Sequence, residues 1–155
     1  MKRTVLILFF FGLSFYSYSQ ERHGPYKISK FVDGDTFWIK GENGKAIKIR
    51  LTGVDTPEVE WKGLTSEEPF GKEASEFVKK FLKGKKVLLE YDIQRYDRFG
   101  RTLAYVYLED SAFLNAHLLE VGLAQVATFP PNVKYVELFT EIQKKAREEG
   151  IGMWR

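Results

Sequence analysis

The 155-residue chain is 44% hydrophobic and 29% charged, which suits one domain with an ordinary core. Its formal charge of +3 is too small to mark a nucleic-acid partner by charge alone. Cysteine is absent and there are two histidines, His23 and His117, which excludes a disulfide framework and a Cys/His zinc site and leaves any catalytic metal to oxygen ligands, as calcium and magnesium prefer.

The N-terminus reads as a secretory leader. Lys2 and Arg3 form a basic start, Val5 to Leu13 an apolar run, and Ser17-Tyr18-Ser19 a small-x-small cleavage site. Polar residues arrive well before the roughly 20 apolar positions of a membrane span. Cleavage is expected after Ser19, with residues 20–155 as the mature domain. Losing Lys2 and Arg3 lowers the formal charge by two, to +1. No stable membrane association is expected once the leader is gone.

Strand-like alternation begins at Tyr26 and Ile28 and is broken at Asp33-Gly34. Phe37 and Ile39 mark a second strand, Gly41-Glu42-Asn43-Gly44 a turn, and Lys45 to Leu51 a third strand. Ile47, Ile49 and Leu51 share one face of it, so Arg50 faces the other way. From Val59 to Phe70 neither period holds, and the segment is long for a connection. Gly71 to Lys83 reads as an amphipathic helix on Ala74, Phe77, Val78, Phe81 and Leu82. Its lysines, with Lys85 and Lys86, read as a solvated face.

Strands are then expected at Lys86 to Gln94 and Arg101 to Leu108, joined by a loop through Asp97 and Gly100. A short helix from Phe113 to Val121 stops at Gly122, and a short strand follows near Leu123 to Ala127. The last helix carries Val136, Phe139, Ile142 and Ala146, with Asn132 expected to cap it and Gly150 to end it. His117, set among leucines, reads as packing or surface. This order of elements suits an α+β domain: a small closed barrel with helices packed on it.

The chemistry lies between Asp33 and Glu58. Asp-Gly alone is an ordinary turn signal, and Thr56-Pro57 an ordinary helix start. Taken together they say more, because the hairpin between Asp35 and Asp55 can bring both carboxylates to one place. Two carboxylates held close repel unless a cation or proton intervenes, and a hard divalent ion resolves this with carboxylate, carbonyl and water oxygens. Glu58, three residues on and stiffened by Pro57, is placed to act as a general base. Arg50 and Arg101 are planar forks that match phosphate oxygens and can neutralise charge developing on phosphorus. The plain alternative for both arginines is surface ion pairing. Trp61, Phe99 and Phe129, in loops, can stack on bases or pin their own loops.

These motifs resemble the staphylococcal-nuclease (thermonuclease) family from about Tyr26 to Trp154. The carriers are Asp33-Gly34-Asp35-Thr36, Arg50 with Val54-Asp55-Thr56-Pro57-Glu58, and Asp97-Arg98-Phe99-Gly100-Arg101 leading into Leu103-Ala104-Tyr105, with Gly71-Lys72-Glu73-Ala74 and Gly122-Leu123-Ala124 as further landmarks. The resemblance implies an OB-fold five-stranded barrel with three helices, and calcium held by Asp35, Asp55 and the Thr56 carbonyl. It implies catalysis by Arg50, Glu58 and Arg101, through metal-activated water that cleaves single-stranded or frayed DNA and RNA to leave 3′-phosphate ends. A secreted or periplasmic monomer without a protein partner is expected. The departures fall in the base pocket, where Thr128 and Phe99 stand at tyrosine positions and Phe129-Pro130-Pro131 follows. The competing reading is a non-catalytic OB-fold nucleic-acid-binding module, and a secreted structural or adhesive domain comes behind it.

Overall fold

The computed structural model describes residues 21–59 and 68–155. The leader and Trp61 lie outside the described residues. Strands β1 (His23–Phe31), β2 (Thr36–Lys40) and β3 (Ala46–Leu51) form a meander, and a short strand β4 (Gly53–Asp55) follows at once. Helix α1 (Gly71–Leu82) leads to β5 (Lys86–Glu90) and β6 (Thr102–Leu108). Then come α2 (Leu114–Glu120), β7 (Gln125–Ala127) and α3 (Val136–Glu148).

The five long strands close a barrel in the order β1-β2-β3-β6-β5, with β5 returning to pair with β1. All pairings are antiparallel except β3 with β6. This is the expected OB-type barrel with three helices. Phe37, Ile39, Ile49, Leu51, Val87 and Leu89 point inward by the period-two rule and are fully buried. β6 departs from simple alternation: Ala104 through Leu108 are all buried. It is covered on both faces, since the rings of Tyr105 and Tyr107 pack against Phe113 and Tyr135 beyond the barrel. His117 is half-buried on α2, its ring against Phe77 and Phe81, as a packing residue should be.

Two expectations are corrected and one strand was not expected. β5 ends at Glu90 rather than Gln94. Gly53–Asp55 is a strand of its own, pairing with β7 outside the barrel, and three residues are too few for a periodic signal. Asn132 does not cap α3, which starts at Val136. Its buried amide instead bonds the Gln94 backbone twice, accepting from N–H at 2.8 Å and donating to C=O at 2.9 Å. A buried amide needs both its donor and its acceptor matched, and the backbone beyond β5 offers both.

Candidate active site

The Asp33–Thr36 turn is tied at its neck by the Val32 and Asp33 N–H groups, both donating to the Thr36 carbonyl. Asp33 Oδ1 accepts the Asp35 N–H at 3.1 Å, the self-bonding that makes aspartate a turn former. Gly34 lets this turn lie on Thr56: a Cβ there would sit 2.7 Å from Thr56 Oγ1. Asp35 enters at the start of β2 and Asp55 ends β4, so two strand ends present the acids.

Arg50 joins them. It stands in β3 opposite Thr36 of β2 and Leu103 of β6. One terminal nitrogen donates to Asp35 Oδ1 and the other to Asp55 Oδ1. The Asp35 carboxyl, 1% exposed, also accepts from Thr36 Oγ1 at 2.9 Å and from the Thr56 N–H at 3.1 Å. Burial nevertheless pushes it up to about 7; Arg50, Thr56 and Thr36 pull the other way, and Asp33 adds to the rise. Burial would lower Arg50, but Asp35 and Asp55 outweigh it and hold the guanidinium above its ordinary value.

Arg101 is positioned by a separate device. In the segment between β5 and β6, Asp97 Oδ1 accepts the N–H groups of Phe99 and Arg101, both at 2.9 Å. Asp97 Oδ2 takes the Arg101 Nε at 2.6 Å. Burial raises the Asp97 carboxyl, but these bonds together leave it below its ordinary 3.8. No role was expected of Asp97 beyond belonging to a motif; acceptors two and four residues before the N–H groups they bind were the available signal.

Both arginines line one cleft of about 510 Å³, together with Asp55, Asp97, Phe99, Phe129 and Asn132. Phe99 and Phe129 are 68% and 75% exposed there. Both arginines are ion-paired, as the plain reading held, yet at 16% and 26% exposure these are partly buried pairs facing a cleft rather than surface pairs. Thr128 is not among the cleft residues: its hydroxyl is buried without a hydrogen-bond partner among the described residues, and the ring that faces the cleft is Phe129.

Glu58 lies outside the cleft lining, and its side chain is exposed. Its backbone is fixed on both sides by Glu68, whose Oε2 accepts the Glu58 N–H and whose N–H donates to the Glu58 carbonyl, both at 3.0 Å. Gly71 completes the fit, since a Cβ there would come 2.1 Å from the Glu58 carbonyl oxygen. Partial burial, then Asp33, raises the Glu58 carboxyl above its ordinary 4.5, while Arg50 opposes the rise. Glu58 thus feels the charges of the acid cluster without a hydrogen bond to it among those described.

No group of three or more His, Asp or Glu residues suited to a metal occurs among the described residues. The groups expected to hold a metal, Asp35, Asp55 and the Thr56 carbonyl, would offer two carboxylates and a carbonyl. Two acids that already share one cation, one of them buried so far that its charge is disfavoured, fit a hard divalent ion with vacant positions for non-protein oxygens.

A closed OB-type barrel with an acid–arginine–acid cluster at its strand ends and a second arginine in the same cleft defines a class of nucleic-acid-processing scaffold. Comparison narrows it. The family profile described as staphylococcal nuclease homologue matches residues 48–155. The thermonuclease of Staphylococcus hyicus is 46% identical over 136 residues, covering 88% of this chain and 79% of the relative. That of Staphylococcus intermedius is 44% identical over 133 residues, covering 86% and 77%. Endonuclease YncB of Bacillus subtilis is 35% identical over 141 residues, covering 90% and 65%. The chain belongs to the staphylococcal nuclease family.

Proposed function

We propose that this protein is a secreted nuclease that hydrolyses phosphodiester bonds of single-stranded or frayed DNA and RNA with calcium as its metal, leaving 3′-phosphate ends. The observation that carries the reading is the convergence of the buried Asp35 and of Asp55 on the guanidinium of Arg50, which lines one cleft with Asp55 and Arg101. Relatives named thermonuclease and endonuclease support a phosphodiester hydrolase. Asp35, Asp55 and the Thr56 carbonyl would hold the calcium ion, which when bound supplies positive charge and lowers the cost of deprotonating water.

The chain's own residues do the rest. Arg50 and Arg101 offer nitrogens fixed in space to the non-bridging phosphate oxygens, and their charge is worth most as negative charge builds there. Arg50 is bound to two acids in this conformer, so engaging phosphate requires it to trade at least one of those bonds. Glu58 accepts the proton of the attacking water, and its raised affinity for protons suits a base. Water oxygen bonds to phosphorus as the P–O5′ bond breaks, and the departing 5′ oxygen takes a proton from solvent. Phe99 and Phe129 offer ring faces to the flanking bases. Among the described residues no helix is long and apolar enough to cross a membrane. Residues 1–19 are proposed as a cleaved leader; N-terminal sequencing of exported protein should begin at Gln20.

The test is incubation of the purified protein with single-stranded DNA and with RNA, in calcium or in chelator. Cleavage in calcium alone, yielding ends that a 3′-phosphatase trims, supports the reading. Cleavage that survives chelator rejects the metal, and binding without cleavage in calcium favours the non-catalytic module.

A further inference from the structure

Beside the cleft lies a second groove, of about 590 Å³. Strand residues build one side of it: Tyr26 of β1, Trp38 of β2 and Lys48 of β3. Trp38 and Lys48 are partners in the β2–β3 register, with the ammonium 5.9 Å from the centre of the ring. The segment after β5 supplies Arg95, Tyr96 and Phe99. Phe99 and Arg101 line this groove and the cleft alike, so the two spaces meet at that pair.

Two features set the groove apart from an ordinary surface hollow. Its charge is one-sided: Lys45, Lys48, Arg95 and Arg101 face a single acid, Glu42, among the described residues. Its rings are open, for Tyr96 is 59% and Phe99 68% exposed. Large aromatics left in water forgo the burial that otherwise favours them, and rings set among basic side chains, as Phe99 is with Arg98 and Arg101 at 4.7 and 5.4 Å from its centre, suit unpaired bases and their phosphates. A duplex would gain little here, because its bases already stack on one another.

We propose that this groove is a track for the single-stranded nucleic acid that flanks the scissile phosphate: bases stack on Trp38, Tyr96 and Phe99, and Lys45, Lys48 and Arg95 take the phosphates. The inference rests on the nuclease reading above and adds to it a physical basis for choosing single strands. It also makes substrate length matter, since a strand must outreach the cleft to occupy the groove.

The experiment compares a thymidine dinucleotide with a 20-nucleotide oligo(dT) as substrates of the full protein and of Trp38→Ala, Lys48→Gln and Lys79→Gln. Lys79 lies on the exposed side of α1, away from both spaces. For the 20-mer, KM should rise about fivefold or more in Trp38→Ala. In Lys48→Gln the slope of log KM against log salt should fall by about 0.7. Dinucleotide cleavage by both variants should stay within about twofold of the unmodified protein, and Lys79→Gln should change neither substrate. Binding of fluorescent oligo(dT) by anisotropy, made in the Glu58→Gln background, repeats the comparison without turnover. Should Trp38→Ala fail to fold, Lys48→Gln still decides the matter. Unchanged KM, salt slope and binding for the 20-mer overturn the track alone. Failure of the unmodified protein to cleave either substrate overturns the nuclease reading and the track with it.

Discussion

Arg50 and Arg101 look onto the same cleft but are held there in opposite ways. Arg50 is fixed by the barrel: its strand is paired on both sides, and its guanidinium bridges acids from two other strand ends. Arg101 is fixed by its own loop, through an aspartate four residues earlier. The first depends on long-range closure and is tied to stability; the second is a local device whose loss the fold can survive. One cleft thus combines a structural cation with a locally aimed one.

The largest effect should come from Arg50→Lys, which leaves one point charge where a fork joined two carboxylates. We expect kcat/KM on single-stranded DNA to fall about a thousandfold, roughly 4 kcal/mol. The unfolding free energy in urea should drop with it by about 1–2 kcal/mol, as one of the two charge-assisted hydrogen bonds of the fork is lost. A variant that lost activity with its stability intact would break the contrast. Glu58→Gln comes next, with kcat down about a hundredfold or more and an unchanged melting temperature. In the unmodified protein the Glu58 contribution to the acid limb of kcat/KM should lie above the ordinary 4.5, and the limb should change shape in the variant as that contribution is lost.

Arg101→Lys should cost about a hundredfold in kcat/KM while the melting temperature stays within about 2 °C, the signature of a locally held residue. Asp97→Asn should have a milder outcome: about tenfold in activity and about 1–2 kcal/mol in stability at neutral pH. The sign with pH follows from the lowered carboxyl. Its contribution is present above 3.8 and is lost as pH falls through the lower folded value, so the gap in urea midpoint between this variant and the parent should close in acid. The smallest change expected is Asn132→Ala, about 1–2 kcal/mol, with activity reduced a few-fold at most as the Gln94 tether is lost.

The parts of this design that were legible in the sequence are those written locally. Alternation at Phe37 and Ile39 and at Ile47, Ile49 and Leu51 gives the strands, and that phase turns Arg50 away from the inner face. The acids flank one hairpin, so their approach follows from connectivity. What escaped depends on partners remote in sequence. The pairing of Asn132 with Gln94 has no local signature. The β4 strand owes its extension to β7, and no local pattern marks Phe129 rather than Thr128 as the residue that faces the cleft. Glu58 was placed by its distance from Asp55, yet what fixes its backbone is Glu68 and the start of α1.

The single parallel pairing, β3 with β6, has one more consequence. It is one of the two seams, with β1–β5, at which the first half of the barrel meets the second, and it sets Arg50 level with Leu103, two positions past Arg101. Before it forms, Arg101 is separate from the hairpin that carries the two acids and Arg50. In refolding from urea, the appearance of cleavage should therefore time the docking of the two halves.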